Sequence, residues 1–402
     1  MEEKNMEEKN MEVKTTIHDR IMTLPKWLTV VIVILIVAVF LGILQLGGLA
    51  VSQIPVELPG FTKDAMVELV AALVALGLLL LFGYGKIIKQ TGEGFVKGFY
   101  IGAFLVGQIG MAMVAMLFTS LMLEDVAVEP FWNVLIYTFD MFLVGFAEEV
   151  FLRGIALNLL LDRFSKTRGG VWGAVLISSL IFGLAHFVNL LAGAGLESVC
   201  VQVIQAAVIG VILAAIYLRS NNIWITIILH ALVDWASLMA MGIFGQGDLV
   251  DGLGQISRMN LISVPILLIP CFVLMRKNKL DEVVARLKGE PAYAGEYPQM
   301  AWMRQNQEGG MVAGISLAVS IIGLCFGIFG MGIGISVAGL LGSITSLKMK
   351  KQGNGVAIAA LVISIVGICL AILMTFALGW FYYNSSSGEL QELMKQMEQS
   401  AF

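Results

Sequence analysis

The sequence predicts an all-α fold, a polytopic membrane helix bundle, and three observations carry that expectation. Of the 402 residues 58% are hydrophobic and 13% charged, with a mean hydropathy of +0.88, whereas soluble domains carry about 25% charged residues. Apolar runs recur along the chain at lengths near the roughly 20 residues that a membrane-crossing helix needs. Lysine and arginine alternate between successive loops, as the topology of membrane helices requires. The net charge of −4 decides little. No basic patch argues for nucleic acid, and no glycine-rich phosphate loop is present.

Taken in order, residues 1–27 form a polar tail that opens with Met-Glu-Glu-Lys-Asn written twice. Such low complexity predicts a solvated segment, disordered or loosely helical. The first apolar run, Leu28–Leu49, is too long for the core of a cleavable signal peptide and predicts a retained helix. Seven more runs follow: Met66–Phe82, Phe99–Leu123, Val134–Leu161, Trp172–Leu191, Val199–Leu218, Ile223–Ile243 and Leu261–Met275. Together they make an eight-helix core over residues 28–275. Residues 276–309 form a polar linker in which Leu280, Val283, Val284 and Leu287 recur at helical spacing, predicting a short amphipathic helix on the bilayer.

A glycine-rich block over residues 310–384 adds two to three membrane helices, and a polar tail closes the chain at 385–402. Within the block Val312, Leu317, Ser320, Gly323 and Cys325 recur as Val356, Leu361, Ser364, Gly367 and Cys369, each 44 residues later. Two copies with similar flanks leave the same side of the membrane in the same direction. Met311–Leu347 is too long for one straight span. Gly330, Gly332 and Gly334 offer a turn, which predicts a hairpin followed by a final span; one long tilted helix is the alternative. Small residues there suit close helix packing, so helix-mediated assembly is an expected role.

Orientation follows from the positive charges. Lys14, Arg20 and Lys26, then Lys86, Lys89 and Lys97, then Arg163, Lys166 and Arg168, then Arg219, then Arg276–Lys288 all fall on one side. The alternate loops hold Lys63 and Arg258. The N-terminus is therefore expected in the cytoplasm, in a multi-pass protein of the cell membrane. The four cysteines, Cys200, Cys271, Cys325 and Cys369, form no Cys-x-x-Cys pair and read as small buried apolar residues.

Chemistry concentrates in Gly145–Gly154. Glu148, Glu149 and Arg153 stand inside the run Val134–Leu161, where ionisable side chains are expensive and point to function. Glu149 and Arg153 are four apart, share a helix face and can pair as a structural ion pair. Glu148 lies about 100° around the helix and is left free to hold a water. Two of the chain's three histidines, His186 and His230, also fall in apolar runs, and Asp234 shares a face with His230. Glu148 and His186 would polarise a water. His230, oriented or charged by Asp234, would stabilise the oxyanion of a tetrahedral intermediate. Glu148, His186 and His230 are also a zinc-like ligand set, so zinc or another divalent metal is a possible cofactor. No His-Glu-x-x-His helix is present, and the residues leave metal-assisted and metal-free hydrolysis both open.

The ordered set Glu148-Glu149-x-x-x-Arg153, Phe182-x-x-x-His186 and His230-x-x-x-Asp234, each in its own run, resembles the CPBP family of intramembrane proteases. This is the CAAX protease and bacteriocin-processing family, which includes the Ras-converting prenyl endopeptidase. The resemblance covers about residues 28–275. It implies an endopeptidase that cleaves a membrane-associated protein or peptide with a Glu148- and His186-activated water, with His230 and Asp234 on the oxyanion side. The third motif ends in Asp234 where prenyl-protein proteases tend to have asparagine, which weakens any transfer of prenylated substrates. A non-catalytic scaffold or bacteriocin-immunity-type protein retaining the fold is the alternative. The block after Gly309 looks like a small glycine-rich membrane domain appended to many bacterial proteins, and it carries no chemistry.

Overall fold

The computed structural model describes residues 16–90, 92–121, 127–247, 249–254, 256–290, 298–327, 333–348 and 354–386, and every regular element among them is helical. Helix α1 (Ile17–Thr23) begins in a capping box: the Asp19 amide donates to the Thr16 hydroxyl, and the Thr16 amide donates to the Asp19 carboxylate. Ile21 is buried, and Arg163 donates to the carbonyls of Met22 and Leu24. This end of the tail is therefore docked on the bundle, not solvated. The Met-Glu-Glu-Lys-Asn repeat lies outside the described residues.

Helices α2 (Lys26–Ser52) and α3 (Thr62–Leu81) are long and apolar. Helix α3 turns Ala65, Ala71, Ala72 and Ala75 inward, a face of small side chains that allows close approach. Its outward Leu69, Leu73 and Leu80 are exposed, as residues facing lipid are. The third apolar run is broken into α4 (Gly92–Ile101) and α5 (Ala103–Leu121). The break falls at Gly102, where a Cβ would sit 2.9 Å from Leu229 and 3.0 Å from Ile216.

Helix α6 (Phe131–Glu149) packs on α3 and continues through a π-helical segment, Val150–Leu157, into α7 (Asn158–Phe164). Helix α8 (Arg168–Ala185) is capped by the Thr167 hydroxyl, which accepts from Gly170, and it ends in a 3₁₀ turn, His186–Leu190. Helix α9 (Leu196–Ser220) stops at Asn221, which takes the left-handed conformation at φ 53°. Asn222 then caps α10 (Ile223–Ser237) by accepting from the Ile225 amide. Short helices α11 (Met239–Phe244) and α12 (Leu249–Gly254) and the 3₁₀ turn Arg258–Ile262 lead to α13 (Ser263–Leu274).

Helix α14 (Lys277–Leu287) bends by 57° from the span before it. Leu280 and Val283 are buried in the same core as α7, α8 and α9, so its apolar face packs on protein rather than on the bilayer as the spacing alone predicts. Five described helices are long and apolar enough to cross a membrane, or six if the bent pair counts as one span. Shorter apolar helices, Ile223–Ser237 among them, complete the bundle.

The C-terminal block is α15 (Pro298–Gly327), α16 (Ile333–Lys348) and α17 (Asn354–Ser386), three helices that all pack on one another. Helix α15 starts within the stretch that reads as a polar linker. The hairpin is present, and the residues of its turn, 328–332, lie outside the described residues. The repeat is visible as packing. Ser320 and Ser364, equivalent in the two copies, face each other at 2.8 Å. Gly339 of α16 fits between them, and Ser336 fits between the equivalent glycines Gly323 and Gly367. Helix α16 also packs along α5, which fastens the block to the core. All four cysteines are free, but Cys325 and Cys369 are exposed on outer faces of this block, and Cys271 is the buried one.

Candidate active site

The motif residues meet where α6, the π segment, α8 and α10 converge. Helices α6 and α10 touch at Gly145. A Cβ there would lie 2.8 Å from the Ala231 amide nitrogen and 2.9 Å from the Ile227 carbonyl oxygen, so glycine sets the distance between the two backbones. One turn on, that distance brings both carboxylates of α6 to His230. Glu149 Oε1 lies 2.7 Å from His230 Nδ1 and 2.7 Å from Arg153 Nη1. Both Glu149 and Arg153 are buried, and Arg153 Nη2 donates to the Gly210 carbonyl at 3.1 Å.

The sequence assigns Glu149 to an ion pair with Arg153, and the pair forms. It does not reveal that the same oxygen also accepts from the His230 ring. The expected orienting partner, Asp234, is farther away, with Oδ2 3.6 Å from Nε2. Glu148, expected to stand apart, has Oε2 3.5 Å from the same nitrogen. His230 is thus held at Nδ1 by Glu149 and presents Nε2 to Glu148 and Asp234. Those two carboxylates keep 21% and 28% of their side-chain surface open, although both belong to mid-bundle helices. They are partly exposed, whereas Glu149 is sealed.

His186 does not lie mid-helix as the apolar run suggests. Helix α8 stops at Ala185, and His186 opens the 3₁₀ turn with Nδ1 3.0 Å from the Phe182 carbonyl oxygen. Phe182 joins the parts of the site. Its ring meets His186 edge-on at 5.0 Å and His230 edge-on at 5.5 Å, and the Arg153 guanidinium lies 5.1 Å from its centre. Helices α8 and α9 approach closely at Gly183, where a Cβ would lie 2.6 Å from the Val203 carbonyl oxygen.

The π segment supplies Arg153, and all eight of its residues are buried. A π turn frees carbonyls from the regular ladder, and such turns recur at functional sites. Here Asn158 Nδ2 donates to the carbonyls of Arg153 and Gly154 at 2.9 and 3.0 Å, and it also lies 2.9 Å from the Tyr217 hydroxyl. Nothing in the composition of Val150–Leu157 signals this.

Two further acids escape the motif reading. Asp140, two turns before Glu148, is 1% exposed with Oδ1 unpartnered, and Glu68 on α3 has Oε2 unpartnered. Glu68 lies within electrostatic reach of Glu148, Asp140 and Asp234. Both stand in apolar runs, so the rule that flags Glu148 would have flagged them. The ligand set Glu148, His186 and His230 is not closed in this geometry. Among the described residues no group of three histidine, cysteine, aspartate or glutamate side chains is placed to hold a metal ion.

Residues 130–236 match the family model of type II CAAX prenyl endopeptidases, Rce1-like. The match runs from the start of α6 to just past Asp234 and takes in all three motifs. No curated protein and no solved structure matches the chain. Residues 130–236 therefore form a domain of the CAAX protease, or CPBP, family, and the chain that carries it is a membrane endopeptidase of that general kind.

Proposed function

We propose that this protein cleaves a peptide bond of a membrane-associated protein or peptide with a water activated by Glu148 and His186, while His230, oriented or charged by Asp234, stabilises the oxyanion. The observation that supports this most is the division of labour around His230. Glu149 takes both Arg153 and His230 Nδ1 and is sealed from solvent, while Glu148 and Asp234 remain open beside Nε2. The 3.5 Å between Glu148 and Nε2 is beyond normal hydrogen-bond length and leaves both groups available to substrate and water.

In this reading Glu148 accepts a proton from the water as its oxygen attacks the scissile carbonyl carbon. His230, as the imidazolium with Nδ1–H given to Glu149, donates its Nε2–H to the carbonyl oxygen as it becomes an oxyanion. The proton on Glu148 then passes to the amine as the carbon–nitrogen bond breaks. His186, fixed at Nδ1 by the Phe182 carbonyl, presents its other nitrogen to the water. No step is assigned to a metal.

The test is cleavage of a panel of membrane-anchored peptides by the purified protein. Glu148→Gln and His186→Ala should each lower the rate by at least about 100-fold, the scale of a lost general base. Thermal stability should fall less than in Glu149→Ala, since neither residue pairs with the buried Arg153. Full activity in either variant would remove that residue from the water-activating pair.

The alternating loop charges support an N-terminus in the cytoplasm. Lys166 and Ala192 are exposed in turns at opposite ends of α8. With the four native cysteines replaced, an impermeant thiol reagent added outside whole cells should label Ala192→Cys and spare Lys166→Cys. The opposite labelling would reverse the orientation.

A further inference from the structure

Away from the active site, a cavity of about 730 Å³ opens between α4, the end of α9 and α14. Cavities of this size take ligands of drug or headgroup dimensions. Lys97, Arg219, Lys279 and Arg286 line it, against two carboxylates, Glu282 and Glu290. The cations arrive from three separate helices, so the fold gathers them. Two of them are also held in place. Arg286 Nη2 donates to the Leu218 carbonyl at 2.5 Å, and Lys279 Nζ donates to Glu282 at 2.7 Å.

The cavity lies at one end of the helix bundle, where the loops carry the excess of lysine and arginine. Helix α14 folds across the ends of α8 and α9, and Asp281 on it pairs with Arg168 at the start of α8. The same end of the bundle holds α1, docked through Arg163. Partial burial, then the positive charge of Arg219, with Arg286 and Lys279 adding to it and Glu282 opposing, holds the Lys97 amine below the usual lysine range. Like charges crowded in this way are relieved by an anion.

The geometry points to a binding site for a phosphate group carried by an anionic ligand, built by Lys97, Arg219, Lys279 and Arg286. Guanidinium and ammonium groups recognise phosphate by charge-assisted hydrogen bonds, arginine in bidentate fashion. At the end of a membrane bundle the abundant source is an anionic phospholipid headgroup, and a soluble phosphate is the other. The site is independent of the catalytic reading, since none of its residues touches the active site.

The test uses the full chain in a neutral detergent, with binding read by native mass spectrometry and by the shift in unfolding temperature. The probes are phosphatidylglycerol, phosphatidylcholine and inorganic phosphate. Phosphatidylglycerol should bind saturably and raise the unfolding temperature, and phosphatidylcholine should not. Lys97→Gln should weaken that binding about tenfold, the scale of one charge-assisted hydrogen bond, and Lys97→Gln with Arg219→Gln should weaken it further. Lys166→Gln, outside the cavity, should leave binding unchanged, and unfolding without ligand checks that each variant is folded. Saturable binding of inorganic phosphate without that of the lipid, lost in the same variants, would support the anion site and assign it to a soluble ligand. Absence of saturable binding by both, or equal binding by wild type and the double variant, would overturn it.

Discussion

At the scale of single residues, one oxygen of Glu149 serves two partners. It accepts from Arg153 and lies 2.7 Å from His230, and all three side chains are buried. Removing one member of a buried pair strands the other at about 3–5 kcal/mol. Glu149→Ala and Arg153→Ala should each lower stability by that much in thermal unfolding, and the double variant should recover part of it. Glu149→Ala should also lower peptide cleavage more than Arg153→Ala, because it alone releases His230 Nδ1. Equal stability in all three variants would show that the pair contributes nothing. This double role marks the limit of what the sequence displays. The Glu149–Arg153 spacing is local and readable, whereas the bond to His230 spans 81 residues and depends on how α6 meets α10. Asp234 looked the better partner for His230 because a shared helix face is the kind of neighbourhood that spacing reveals.

At the scale of elements, close helix approach does the positioning. Gly145 leaves no room for a side chain against the backbone of α10, one turn from the acidic pair. Gly145→Ala should force the helices apart, costing about 1–3 kcal/mol of stability, the usual range for overpacking. It should lower cleavage as well, since the separation of Glu148 and Glu149 from His230 changes with it. Gly110→Ala on α5, where a Cβ meets nothing within 4 Å, is the matched control and should be neutral or slightly stabilising. If both glycine variants behave alike, the contact at Gly145 does not set the site. The apolar helices themselves were legible, because hydropathy reports them directly. Their interruptions were not. The break at Gly102, the end of α8 before His186 and the π turn all fall inside unbroken apolar sequence. Each is fixed by neighbours: Leu229 and Ile216 at Gly102, the Phe182 carbonyl at His186, and the Asn158 amide behind Arg153.

At the scale of the whole molecule, every catalytic candidate precedes α13, yet the C-terminal block leans on α5, which in turn packs on the His230-bearing α10. Removal of residues 298–402 should therefore leave cleavage of a soluble test peptide within a few fold of wild type. It should still lower the unfolding temperature, because α5 loses the face that α16 covers. Loss of cleavage in a truncated protein that remains folded would make the block part of the active site. The two-copy pattern of this block was plain in the sequence at a spacing of 44, whereas its hairpin was one of two readings, with a single long helix as the other. That a helix outside the repeat would be gripped by both copies was not plain, because neither Ser336 nor Gly339 has an equivalent to announce it.

That grip fixes an order of assembly during synthesis. The chain emerges from its N-terminus, so α15 and α16 are in the membrane before α17 is made. At that stage Ser316 and Ser320 can already meet Gly342 and Gly339, but Ser320 still lacks Ser364, and one side of Ser336 has no Gly367. The waiting hairpin carries a slot lined with small residues and hydroxyls, cut to the shape of α17. The fit is made of glycine and serine rather than bulky apolar contacts, so it rewards one register and one direction, that of α15. The block thus stays unlocked until α17 arrives to close it.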